Sequence, residues 1–326
     1  MSAPRPAARA PSRVDDHAVV VDDLVKTFGR TTALDHVSVS IGRGELFGFI
    51  GPDGGGKTTL FRILATLLLP DAGRARVLGY DVVHDLWALR RRIGYMAGRF
   101  SLYMDLSVEE NVRFFASVFG TTLEREHARI APIYSQLESF RARRAGALSG
   151  GMKQKLALCC ALVHRPDILI LDEPTTGVDA VSRRELWDLL GHLQRSGLTI
   201  VVSTPYMDEA GRCDRVALVQ RGHLLAVDTP AAIAQSFGRP LFAVHAADRY
   251  RALLALREYE HAATVFPFGS VLHYTDTRTM LPPERIAHEA LAFLIARGFG
   301  DATVTPIAPT VEDTFMARMG GAGEAA

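Results

Sequence analysis

Phe49-Ile50-Gly51-Pro52-Asp53-Gly54-Gly55-Gly56-Lys57-Thr58-Thr59-Leu60 is the stretch on which the rest of the chain turns. Gly51–Thr58 fits G-x-x-x-x-G-K-[ST], directly after the apolar run Glu45–Ile50 and directly before a helical pattern from Lys57 to about Leu69. Strand, glycine turn and helix in that order make a cradle for phosphate. Glycines let backbone N–H groups curl around oxygens that side chains would block, and the helix N-terminus attracts the anion. Lys57 then sets a positive charge between β- and γ-phosphates and Thr58 offers its hydroxyl to Mg2+. Gly51, Pro52, Asp53, Gly54, Gly55, Gly56 and Thr59 complete the wall of the nucleotide pocket.

Working outward, Ile168-Leu-Ile-Leu-Asp172-Glu173 reads as a buried strand that ends on two acids. Behind a phosphate loop, Asp172 suits the Mg2+ shell and Glu173 can polarise an attacking water. Alone, the same run would be a strand end with solvated acids. Leu148-Ser149-Gly150-Gly151-Met152-Lys153-Gln154 opens a helix at Met152. It is either a capped helix after a glycine turn or a second anion site, with Ser149 and two glycine N–H groups as donors. Two such elements need not serve the same nucleotide within one subunit.

These motifs together resemble the ATP-binding cassette (ABC) ATPases over about Ala18 to Asp228. The resemblance implies a P-loop NTPase fold with a parallel core sheet, an antiparallel β subdomain and an α-helical subdomain at about 97–165. In its terms Gly51–Thr58 is similar to the Walker A loop, Ile168–Glu173 to Walker B, and Leu148–Gln154 to the signature motif. Phe28 resembles the aromatic that stacks on adenine, and Thr176-Gly177-Val178-Asp179 resembles the D-loop, which touches the opposite subunit. The family works as head-to-tail dimers, with ATP between one subunit's Walker A and the other's signature serine. The expected ligands are therefore ATP and Mg2+. The expected partners are an integral membrane permease and a second cassette, the same or different, with the chain peripheral on the inner face of the cell membrane.

Two positions depart from the family. Gly98, in Gly94-Tyr-Met-Ala-Gly-Arg-Phe100, stands where a glutamine usually contacts Mg2+ and water. Pro205, in Val202-Ser-Thr-Pro-Tyr206, stands where a histidine usually approaches the γ-phosphate. Proline has no ionisable group and no N–H, so it cannot substitute. The expectation is slow hydrolysis at this chain's own site, with Ser149-Gly150-Gly151 completing a competent site on a different cassette. Against it stand a homodimer in which Glu173 suffices, a regulatory module that never turns over, and a soluble cassette ATPase without a transport role.

Composition sets limits on these readings. The chain has 326 residues, enough for one large domain and a smaller one. Lys+Arg and Asp+Glu, 37 and 36, leave a net charge of +1, which gives a nucleic-acid partner no support. Cys159, Cys160 and Cys213 form neither a disulfide framework nor a zinc spacing, which fits a reducing cytosol. The eleven histidines show no metal-binding spacing. Ile63–Leu69 and Leu156–Val163 fall short of the roughly 18–20 apolar residues that span a bilayer. Arg141, Arg143 and Arg144 read as a solvated face or an aid to an incoming triphosphate. Phe100, Leu102, Tyr103, Phe114 and Phe115 read mainly as core, with a subset available to a helix of the membrane subunit.

The expected layout is a Pro/Ala/Arg-rich leader at 1–15, the ATP-binding domain at 16–230, an accessory domain at 240–319 and a tail at 320–326. In the accessory stretch the strand–helix order β-α-β-β-α-β is the split-βαβ pattern of a ferredoxin-like α+β domain. Its end, Pro309-Thr-Val-Glu-Asp-Thr-Phe315, resembles the tail of bacterial drug- and polysaccharide-exporter ATPases and favours export.

Overall fold

A computed structural model describes residues 17–321, so the leader at 1–15 lies outside the described residues, as does most of the tail. The chain divides into two compact units, 1–230 and 231–326.

The first unit opens with β1 (His17–Phe28) and β2 (Thr31–Gly42), an antiparallel pair with Gly29 and Arg30 at the turn. β3 (Leu46–Ile50) leads into α1 (Lys57–Leu64). Then come β4 (Ala72–Val77), β5 (Tyr80–Asp81), α2 (Leu86–Arg90) and β6 (Ile93–Met96). A helical segment holds α3 (Val108–Val118), α4 (Leu123–Tyr134) and α5 (Gly150–Leu162). The unit closes with β7 (Ile168–Asp172), α6 (Ala180–Arg195), β8 (Thr199–Thr204), β9 (Arg215–Gln220) and β10 (His223–Asp228).

Two sheets result. One is antiparallel, in the order β2-β1-β4-β5; the other runs β10-β9-β3-β8-β7-β6, parallel except for the edge strand β10. Every residue of β3, β7 and β8 is buried, the mark of strands covered on both faces. A single core joins Val19, Val37 and Ile41 of one sheet, through Leu60, Phe61 and Leu64 of α1, to Phe47, Phe49 and Ile170 of the other. Phe61 meets Phe49 edge-on at 5.6 Å. The helix that begins at the phosphate loop is thereby held between the two sheets.

Several boundaries differ from the sequence reading. α1 ends at Leu64 rather than near Leu69, because Thr66 takes φ +61° and Arg90 grips its hydroxyl and carbonyl, each at 2.8 Å. The three strands β4, β5 and β6 were not anticipated. In β4 only Ala75 and Val77 are buried while Arg74 and Arg76 are exposed, so little apolar signal marks it. α3 and α4 are separated at Gly120, and α3 starts on a Ser107/Glu110 capping box, at 3.2 and 2.7 Å. α5 starts at Gly150, two residues before Met152. Phe100, Leu102, Tyr103, Phe114 and Phe115 are not core: Tyr103 and Phe114 are exposed and the others half-buried.

The second unit runs from α7 (Pro230–Gln235), at the boundary, through β11 (Leu241–His245), α8 (Arg249–Arg257), β12 (Ala262–Phe268) and β13 (Val271–Asp276). It ends with α9 (Pro283–Ala296), β14 (Thr303–Ile307) and α10 (Val311–Gly321). Its antiparallel sheet has the order β12-β13-β11-β14, the ferredoxin-like arrangement that the strand–helix order implied. Side chains alternate across it. Leu272 and Tyr274 enter a core with Leu256 of α8 and Ala290 of α9, while His273, from the other face, bonds Asp313 of α10 at 2.5 Å.

Candidate functional site

The site begins at the loop between β3 and α1. Gly51 admits no side chain, since a Cβ there would lie 1.9 Å from the Val219 carbonyl oxygen. Gly56 is doubly constrained, with φ +102° and a Cβ position 2.3 Å from the Ala33 oxygen. The loop is tied down by Gly51 N to Thr204 O at 3.3 Å and Gly222 N to Gly55 O at 3.0 Å. α1 has no side-chain cap, so its first N–H groups remain for an anion. Pro52, Asp53 and Gly54 are exposed along the rim, and Thr59 is half-buried in the first turn.

Lys57 is 3% exposed and turned inward, donating to Gly51 O at 2.7 Å and Pro52 O at 3.0 Å. Its Nζ lies 3.5 Å from Glu173 Oε1. The ammonium therefore sits within the loop, on carbonyls it can exchange for a stronger acceptor. Charge-assisted bonds to phosphate are about twice as strong as neutral ones.

From β7, Asp172 brings a buried carboxylate to the start of α1. Its Oδ1 accepts from Thr58 Oγ1 at 3.1 Å and from Ser203 Oγ at 2.6 Å. A hydroxyl and a carboxylate in contact are hard oxygen donors, and they fit a Mg2+ ion that keeps several waters and takes its remaining ligands from phosphates. Glu173 follows at φ +49°, with its N–H directed at Ser203 and its Oε2 accepting from Thr176 Oγ1 at 3.3 Å.

The gap at Gly98 opens onto this carboxylate. A Cβ there would lie 3.3 Å from Asp172 O and 3.6 Å from its Oδ2. Pro205 follows directly on β8. Beside it, Thr204 and Thr175 hydroxyls both donate to the buried Glu209, the latter at 3.1 Å. Arg183 Nε approaches the same carboxylate at 3.6 Å, and its guanidinium lies over the Tyr206 ring at 4.0 Å.

The other expected residues occupy two further places. Phe28 is 52% exposed at the end of β1, with the Lys26 ammonium 5.5 Å from its ring centre. Asp71 fixes this strand end, accepting from Lys26 at 2.6 Å and from Thr27 N and Oγ1 at 2.7 and 2.8 Å. The Lys26 bond, followed by those from Thr27, holds the Asp71 carboxyl down to about 2. Ser149 caps α5, accepting from Met152 N at 3.3 Å. The contacts of Gly150 and Gly151 run to Gly177 and Ser182, where a Cβ would come within 2.9 and 2.5 Å. Asp179 caps α6 through Val181 N and Ser182 N, at 3.1 and 3.0 Å. Lys57, Thr58, Asp172 and Glu173 thus come together in one centre, while Ser149 and Asp179 lie together elsewhere.

A groove of about 820 Å³ runs between β6 and the helical segment, lined among others by Trp87, Arg90, Tyr95, Phe100, Phe115 and His164. Burial, and next the Asp172 charge, pushes the Tyr95 phenol up. The sequence reading missed Asp71, Ser203 and Glu209, whereas Phe100, Leu102 and Phe115, from the cluster offered as a surface for a helix of the membrane subunit, line this groove. Nothing local marked Asp71, Ser203 or Glu209.

Fold, loop and carboxylate centre define a nucleotide-binding cassette of the phosphate-loop class. Residues 34–176 match the family model described as ABC transporter. The chain is 45% identical over 210 residues to the probable multidrug ABC transporter ATP-binding protein YbhF of Escherichia coli K12, a match covering 64% of this chain and 36% of that protein. It therefore spans little more than a third of that relative's length. It is 33% identical over 309 residues to the daunorubicin resistance ATP-binding protein DrrA3 of Streptomyces coeruleorubidus, covering 92% and 95% of the two chains. A dimeric ATP-binding cassette solved in a post-hydrolysis state with ADP and Pi is 25% identical and superposes with a TM-score of 0.59, over 65% of this chain and 98% of that one. The chain belongs to the ABC transporter family of ATP-binding proteins.

Proposed function

We propose that this chain binds Mg-ATP at Gly51–Thr59 and serves as the ATP-binding subunit of an exporter, as half of a nucleotide-sandwich dimer that drives a separate membrane permease. The observation that carries the reading is the convergence of inward-turned Lys57 with the Thr58–Asp172 contact, on a loop that cannot accept side chains at Gly51 or Gly56. In this reading Lys57 releases the Gly51 and Pro52 carbonyls and takes the β- and γ-phosphates, and Phe28 offers its exposed face to adenine. Bound Mg2+ supplies charge neutralisation at the phosphates. Glu173 accepts the proton of an attacking water. Ser149, Gly150 and Gly151, set apart from the loop, close the site of a second cassette, with Asp179 at the same interface.

The lack of a glutamine at Gly98 and of an ionisable side chain at Pro205 supports slow turnover at this chain's own site. The gap beside Asp172 Oδ2 lies where the family's glutamine would reach, so the partner is best read as a different, competent cassette. The relatives named for drug resistance and multidrug transport favour export. No helix among the described residues is long and apolar enough to cross a membrane. In this reading the pore is supplied by the permease, and this chain works against the inner face of the membrane. The 820 Å³ groove is the receptor for a helix of that chain.

Lys57→Ala tests the reading. ATP retention should fall roughly 100-fold, the size of one to two lost charge-assisted bonds. Undiminished retention overturns it. Fast multiple turnover by the purified chain alone would refute the asymmetric pairing while leaving ATP binding intact.

A further inference from the structure

We infer that Ser203 is a positioning residue of the nucleotide site, its hydroxyl fixing Asp172 and Glu173 relative to one another so that Asp172 turns Oδ2 toward the metal. The inference rests on the Mg-ATP reading above. Ser203 lies opposite Asp172 in the parallel β7–β8 register and is fully buried. A serine hydroxyl carries one donor and two acceptor lone pairs. Here the donor goes to Asp172 Oδ1 at 2.6 Å, and a lone pair accepts Glu173 N–H at 2.9 Å. The same N–H also reaches the Ser203 carbonyl at 3.1 Å.

Glu173 needs that support. At φ +49° it occupies the left-handed region, which non-glycine residues adopt at a cost and keep where surrounding bonds over-determine them. The neighbouring strand ends carry a second tie, since Glu209 accepts from both Thr175 and Thr204. Ser203 is thus one point of a two-point clasp between the ends of β7 and β8.

Its weight is greater in this chain because Gly98 and Pro205 bring no polar side chain to Asp172. Among the described residues, the hydrogen bonds to the Asp172 carboxylate come from Thr58 and Ser203, and both fall on Oδ1. Were Thr58 to give its hydroxyl to a bound cation, Ser203 would be the side chain still holding Asp172. Oδ2, on the side of the Gly98 gap, would be open to the cation.

The test uses the full chain with ATP, following Mn2+ binding by electron paramagnetic resonance and ATP retention in EDTA separately. Ser203→Ala should bind Mn2+ in the ATP complex roughly 10–100-fold more weakly, as groups behind a metal ligand typically do, with metal-free ATP retention unchanged. The isosteric pair Ser203→Thr and Ser203→Val guards against a packing effect, since the two differ only in the hydroxyl. S203T should hold Mn2+ about tenfold or more tighter than S203V. Equal Mn2+ binding by S203T and S203V, or wild-type binding by S203A, overturns the inference alone. A wild type that retains no ATP overturns the Mg-ATP reading, and this inference with it.

Discussion

Asp172 and Asp276 each end a β-strand and each is almost wholly buried, yet they are held in opposite ways. Asp276, in the 231–326 unit, is saturated. Its Oδ1 accepts from Arg278 N and Nε at 2.8 and 2.9 Å, and its Oδ2 from Arg278 Nη2 at 3.0 Å and from the Tyr274 hydroxyl. Burial pushes this carboxyl up, but the Arg278 and Tyr274 bonds outweigh it and the group lies below the ordinary range. Asp172, in the 1–230 unit, takes two bonds on one oxygen and leaves the other toward the gap at Gly98. The same contrast extends to the two units. Among the described residues, the buried side-chain atoms without a hydrogen bond are His164 Nδ1, Arg183 Nε, Trp187 Nε1 and Glu209 Oε1, all in the first unit. A closed network builds a fold. An incompletely closed one keeps partners to exchange, at the cost of stability that the surrounding core must supply.

The sharpest way to break this comparison is Asp276→Ala. It strands the buried Tyr274 hydroxyl and leaves Arg278 with Glu289 and Tyr259 alone, and should cost roughly 3 kcal/mol in denaturant unfolding of the 231–326 unit, with ATP affinity unchanged. Loss of ATP binding in that variant would mean the closed network serves the site. Asp172→Asn keeps an acceptor for Thr58 and Ser203 but removes the charge. Mn2+ binding in the ATP complex should weaken about a hundredfold, ~2.7 kcal/mol, with little change in melting temperature. A stability loss as large as that of Asp276→Ala would erase the distinction between the two carboxylates.

Gly98→Gln fills the gap. Its Cβ fits with a shift of a few tenths of an ångström, and single-turnover ATP hydrolysis should rise about tenfold, ~1.4 kcal/mol in the barrier. No gain would locate the deficit at Pro205. The smallest effect concerns His164. Burial, opposed by the Ile93 carbonyl, lowers its pKa below that of a free imidazole. A folded pKa below the unfolded value means the neutral ring's contribution is whole above about pH 6.5 and is lost as pH falls below it. His164→Gln should flatten the stability profile of the first unit between neutral and mildly acid pH; an unchanged slope would assign the dependence to another group.

Much of this protein was legible in the order of its residues. Gly51–Thr58 between an apolar strand and a helix, and Ile168–Leu171 before two acids, are local patterns whose chemistry follows from spacing, and the structure brings their charged ends together. The β-α-β-β-α-β order likewise implied the second unit's sheet, because short connections leave few ways to pair four strands. What sequence could not supply was whatever depends on which strand lies beside which. Ser203 looks like any residue of an apolar strand until β8 is set next to β7. Gly98 was marked by the family resemblance as a missing glutamine, but only the fold shows that its empty side-chain position faces Asp172. Thr66 ends α1 inside an apolar run because Arg90, 24 positions later, grips it. Periodicity and motif spacing are set within a few residues, whereas hydrogen-bond partners across a parallel sheet are chosen by packing that only the folded chain defines.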